Sequence, residues 1–109
     1  MDIKDLQKRA IEIREKYSIL EREKIGRSWT NQEIMEGFVG DVGDLMKLVM
    51  AKEGIRKIEN TDEKLSHELS DCLWCIFVLA DKYSINLETS FLATMKSLEK
   101  RIQKEEYEK

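Results

Sequence analysis

Two pairs of carboxylates carry the chemistry of this sequence. Asp41 and Asp44 are three residues apart, and so are Glu68 and Asp71. On a helix, that spacing makes each pair neighbours on one face. Between Leu65 and Ala80, Glu68 and Asp71 are the only formally charged residues, among Cys72, Cys75, Val78 and Leu79. An ionised carboxylate in such a setting is costly unless it is paired or bound to a cation, and two together also repel. Salt bridges to Lys47, Lys64 or Lys82 are the plain solution. A facing arrangement of both pairs is the chemical one. Four carboxylates make a hard, oxygen-only site that suits Mg²⁺ or Mn²⁺, ions that keep water and accept phosphate oxygens.

The spacing permits that arrangement. Residues 45–67 separate the pairs, 23 residues in all. That is enough for the end of one helix, a loop and the first turn of the next, so an antiparallel hairpin would bring Asp41 and Asp44 opposite Glu68 and Asp71. Gly37, Gly40 and Gly43 surround the first pair inside a helical pattern. Each mid-helix glycine costs about 0.8–1 kcal/mol against alanine. Close helix packing is one reason to tolerate them. Clearance for a ligand beside the carboxylates is the other, and it fits Gly37 and Gly40 best.

Four helices are expected to hold these groups. The first, about Asp2 to Lys24, carries a heptad-like stripe of Ile3, Leu6, Ala10, Ile13, Tyr17 and Leu20. Gly26 ends it. Thr30 and Glu33 form a capping-box signature for a second helix, about Asn31 to Glu53. Its expected core face is Met35, Phe38, Val42, Leu45 and Val49, with Gly54 closing it. Asn60, Thr61 and Asp62 are cap candidates for a third helix, to about Tyr83, apolar all round in its middle. A fourth follows Asn86 and carries Leu87, Phe91, Met95, Leu98 and Ile102; its final KEEYEK is expected to fray. The apolar spacing is helical throughout, so the predicted class is all-α: a hairpin core with a flanking helix at each end. The chain of 109 residues reads as a single domain, residues 1–109. One hairpin does not cover so much apolar surface, and a homodimer completing a four-helix bundle, or a tetramer, is the natural remedy.

Composition removes other classes. Hydrophobic residues are 41% and charged residues 38%, too apolar for a disordered tail. The net charge of −3 gives no basic surface for a nucleic-acid polymer. The longest apolar run, Cys72 to Ala80, has nine residues, far below a membrane span of about 20. The start of the sequence, charged from its second residue, has no signal-peptide core, so a cytoplasmic protein is expected.

With both acidic pairs, the sequence resembles the all-α nucleotide pyrophosphohydrolases, the MazG-like family. The family's motif is Glu-x-x-Glu, a spacer, then Glu-x-x-Asp. This chain has Asp41-Val-Gly-Asp44 and Glu68-Leu-Ser-Asp71. SWTNQEIMEGFVGDVGDLMKL and HELSDCLWCIFVLADKYSINLE are similar to the family's two motif helices, and FLATMKSLEKRI to its closing helix. The likeness covers about residues 29–102. It implies Mg²⁺-dependent hydrolysis of an NTP or dNTP to monophosphate and pyrophosphate, a house-cleaning type of activity. It also implies that Asp41, Asp44, Glu68 and Asp71 are the metal ligands and catalytic carboxylates. Lys96 and Arg101 match the basic, phosphate-binding positions of the last helix loosely. Two departures stand out. The first pair is one methylene shorter on each arm, and Gly40 occupies a position that is acidic in many relatives, which leaves the general base unassigned. Trp29 and Trp74 are candidates to stack on a nucleobase. A phosphoribosyl-ATP pyrophosphohydrolase and a non-catalytic helical interaction module are the competing readings.

Other motifs lead nowhere. Cys72-Leu-Trp-Cys75 lacks two further ligands for zinc and a βαβ context for redox chemistry, so both are core thiols, as befits a reducing compartment. His67-Glu-Leu-Ser-Asp71 has Asp where a zinc protease needs its second His. Di-iron bundles need Glu-x-x-His, which is missing.

Overall fold

A computed structural model of the chain describes residues 1–108. It contains α1 (Ile3–Ile25), α2 (Asn31–Lys52), α3 (Thr61–Lys82) and α4 (Leu87–Glu108), and no strand among the described residues. The all-α expectation holds, and each of the first three helices ends within two residues of its expected limits. The last helix runs through Glu108, and Lys109, the end of the KEEYEK stretch, lies outside the described residues.

The ends follow local chemistry. Thr30 Oγ1 accepts the Glu33 N–H at 3.1 Å, and Glu33 Oε1 accepts the Thr30 N–H at 3.0 Å, the expected capping box. Arg27 adds an ion pair to Glu33 at 2.6 Å. The Arg27 hydrogen bond foremost, then the Thr30 N–H, holds the Glu33 carboxyl down to about 2. Gly26 and Gly54 both have φ of +79°, a left-handed backbone that terminates α1 and α2 and that residues with a Cβ resist. Asn86 Oδ1 accepts the Thr89 N–H at 3.1 Å at the start of α4. Asn60 precedes α3 with φ of 55°, yet its side chain makes no cap bond.

α3 is the central helix. α2 runs along one side of it and α1 along another. On α2 the buried positions are Ile34 and Leu48, with Phe38, Asp41 and Leu45 half-buried between them. These five follow heptad spacing, and Asp41 occupies the middle of the seam. The expected core face is therefore corrected: Met35, Val42 and Val49 are exposed within one chain. α2 is apolar on two flanks, and only one of them meets α3. The stripe on α1 is corrected in the same way. Ala10 and Arg14 are buried, whereas Leu6, Tyr17 and Leu20 are exposed. α1 docks partly through polar bonds: Trp74 Nε1–H donates to the Ala10 carbonyl at 2.9 Å, and Gln7 to the Phe77 carbonyl at 3.4 Å.

α3 buries Cys72, Cys75, Phe77, Val78 and Ala80 but leaves Leu69, Leu73 and Ile76 exposed. α4 packs substantially on none of the other helices, and Phe91, Leu92, Met95, Leu98 and Ile102 are all exposed along it. The radius of gyration is 17.7 Å, against about 13 Å for a compact chain of this length. That excess measures how far the chain falls short of enclosing its own apolar faces.

Candidate active site

The hairpin does what the spacing predicts. Carboxylate oxygens of Asp41, Asp44 and Glu68 lie within 4.8 Å of one another. Asp41 and Glu68 reach the cluster from half-buried seam positions, and Asp44 approaches from the exposed rim. Glu68 Oε1 is buried and has no hydrogen-bond partner. Burial foremost, then the negative charge of Asp41, Asp71 and Asp44, pushes the Glu68 carboxyl above its ordinary range. Asp71 stands beside this trio and is paired with His67, Nε2 to Oδ2 at 3.1 Å.

The plain alternative, neutralisation by lysine, does not occur. Among the described residues no Lys or Arg forms an ion pair with Asp41, Asp44 or Glu68. Three carboxylates converge with a buried, unpartnered oxygen at their centre. Only a cation or a proton can relieve that arrangement. The donors are all hard oxygens, so the residues fit Mg²⁺ or Mn²⁺ better than zinc.

Cys75 has a role beyond core filling. Its Sγ–H donates to Asp41 Oδ2 at 3.6 Å. Burial foremost, then Asp41, pushes the thiol up to about 11, so it stays protonated and remains a donor. Cys72 is also a buried free thiol, as expected of core cysteines.

On one side the carboxylates open into a cavity of about 400 Å³, within the range of small-molecule sites. Asp41 and Asp71 form its edge, and Trp29, Trp74, Tyr17 and Arg14 form its walls. The Tyr17 and Trp74 rings are 5.7 Å apart at their centroids, and the Arg14 guanidinium lies 5.9 Å from the Trp29 centroid. Both tryptophans singled out in the sequence thus line one cavity. A Cβ on Gly37 would meet Trp29 at 3.5 Å, so Gly37 borders this cavity, whereas Gly40 and Gly43 face open space.

On the other side, Asp44 and Glu68 border a groove that also carries Lys47 and Lys64. Lys96 and Arg101, by contrast, lie exposed on α4, which does not pack against the hairpin, so one chain alone does not bring them to the carboxylates. Sequence reasoning treats Lys47 and Lys64 only as salt-bridge candidates and passes over Arg14. The spacing of Arg14 on α1 is the signal that could have found it: it lies one heptad after Gln7 and one before Glu21.

No helix among the described residues is long and apolar enough to cross a membrane. No curated protein and no solved structure matches the chain. A family model does match, the MazG nucleotide pyrophosphohydrolase domain, over residues 30–105. That match takes in both acidic pairs and the hairpin that joins them, and leaves α1 outside. The chain therefore belongs to the MazG family of nucleotide pyrophosphohydrolases, hydrolases of phosphoanhydride bonds.

Proposed function

We propose that the chain hydrolyses nucleoside or deoxynucleoside triphosphates to the monophosphate and pyrophosphate, using Mg²⁺ held by Asp41, Asp44, Glu68 and Asp71. The observation that carries this reading is the buried, unpartnered Glu68 Oε1 among three converging carboxylates. When bound, the metal supplies charge neutralisation for phosphate oxygens and acidifies a water. The chain's own residues supply position. The aromatic cavity takes the base, and the α-phosphate falls at the carboxylates on its edge. The leaving pyrophosphate lies along the groove of Lys47 and Lys64. Water adds to phosphorus as the α–β bridging bond breaks, and the two lysines offset the charge that develops on the departing pyrophosphate. Cys75 keeps one oxygen of Asp41 turned into the seam, and the exposed His67, one turn earlier on α3, steadies Asp71 at the cavity edge.

We infer that the working unit is a homodimer. The exposed flanks of α2 and α3 and the bare apolar stripe of α4 support it. In such an assembly the α4 of one subunit can bring Lys96 and Arg101 to phosphates bound by the other. Incubation with each canonical NTP and dNTP and Mg²⁺, with pyrophosphate as the readout, tests the activity. Turnover should vanish with chelator and with Glu68→Ala. Pyrophosphate from no triphosphate, together with no metal binding, would favour a non-catalytic helical module.

A further inference from the structure

The buried guanidinium of Arg14 has no part in the reaction outlined above, and it belongs to a helix outside the family match. Its side chain is buried on the wall of the aromatic cavity, where it pairs with Glu21. Glu21 Oε1 also accepts the backbone N–H of Trp29 at 2.8 Å. Arg14, Glu21 and Trp29 thus form one network that fixes the Trp29 end of the cavity. Glu21 accepts from both Arg14 and Trp29 through Oε1 and is not among the residues lining the cavity, and the Trp74 indole N–H is taken by the Ala10 carbonyl. Tyr17 can turn its hydroxyl to donate or accept. Arg14 cannot: it has five N–H donors and no acceptor, and Glu21 engages only part of that set.

We propose that Arg14 is the specificity-determining residue of this cavity and that it selects oxo-bases, guanine and uracil, against adenine. The inference rests on the pyrophosphohydrolase reading and deepens it. A guanidinium fork matches the adjacent O6 and N7 acceptors of guanine, and it can donate to a uracil carbonyl. Adenine places its N6 amino donor beside N7, which sets donor against donor. Trp29 and Trp74 stack on any base and discriminate little, so the sign of the preference comes from Arg14.

The test compares kcat/KM for dGTP, dUTP and dATP with Mg²⁺, in the wild type, Arg14→Gln, Arg14→Lys and the double variant Arg14→Gln/Glu21→Gln. The double variant avoids stranding the Glu21 charge, and the amide carbonyl it introduces can still accept the Trp29 N–H. The preference is read as a ratio within each protein, so a general loss of activity cancels. Wild type should favour dGTP and dUTP over dATP by at least about tenfold. Arg14→Lys should keep the direction, and the variants with Arg14→Gln should erase or invert it, since an amide fits the adenine edge. A wild-type preference for dATP, or an unchanged ratio in the double variant, overturns the proposal. Quenching of tryptophan fluorescence by dGMP, dUMP and dAMP supplies the same ratio without turnover. Failure of hydrolysis with this binding order intact would refute the enzymatic reading alone. Equal binding of the three monophosphates would refute the role of Arg14.

Discussion

Replacing Glu68 with glutamine separates repulsion within the apo site from the grip of the site on a metal. The carboxylate oxygens of Glu68, Asp41 and Asp44 lie within 4.8 Å of one another. At that distance two unit charges repel by about 0.9 kcal/mol in a water-like dielectric and by about 3.5 kcal/mol at an effective constant of about 20. Asp44 is exposed and Asp41 is only half-buried, so the water-like figure sets the lower bound for each pair. Relief from two neighbours then amounts to about 2 kcal/mol, and the new amide can donate to Asp41. For a domain of this size that corresponds to a rise in Tm of about 8 °C in chelator. Metal reverses the order. Mn²⁺ at about a hundred times its Kd stabilises the wild type by about 2.7 kcal/mol, whereas the variant, with its central ligand neutralised, gains little. Thermal melts of both proteins at one protein concentration, with EDTA and with Mn²⁺, give the four numbers needed. If Glu68→Gln melts lower than wild type in EDTA, the cluster is not a site of repulsion. If both proteins gain equally from Mn²⁺, the ion binds elsewhere.

Five further outcomes are expected. The raised Glu68 carboxyl means that the metal-free fold holds a proton which the unfolded chain releases, so apo stability increases as pH falls through the raised value toward 4.5. Mn²⁺ affinity should weaken over the same window, with proton release visible in the buffer dependence of the binding heat; pH-independent binding would contradict it. Thr30→Ala should destabilise by about 1 kcal/mol in denaturant melts through loss of the α2 cap. Because the Glu33 carboxyl is depressed to about 2, its contribution is present above about 4.5 and lost as pH falls through 2, so the gap between wild type and Glu33→Gln should close in acid. Lys47→Ala combined with Lys64→Ala should cut kcat/KM for triphosphates at least about tenfold while leaving monophosphate binding within about twofold, since only the groove side is altered.

The helices and the hairpin were legible because their signals are local. Capping at Thr30 and Glu33, glycines at 26 and 54, and heptad-like spacing each act within one or two turns. The carboxylate cluster was legible because charge inside an apolar stretch is conspicuous and the spacer length fixes an antiparallel return. The flank of α2 that meets α3 was not legible. Both flanks are apolar, and the seam through Ile34, Asp41 and Leu48 runs through a carboxylate that a hydrophobicity pattern counts against it. Arg14 was hidden for the same reason. A charged residue at a seam position reads as surface until its partner, Glu21, and the cavity beside it are seen together. Lys96 and Arg101 came from family likeness alone, and α4 does not pack substantially on the hairpin that carries the site.

The bare stripe of α4 has a kinetic consequence. In proteins most helical stability comes from tertiary packing, and α4 packs substantially on none of the other helices of its own chain. In the homodimer proposed above, the hairpin would form at a rate independent of concentration, whereas the packing that steadies the last helix would be second order in protein. Copy number would then set how much of each molecule is fully ordered.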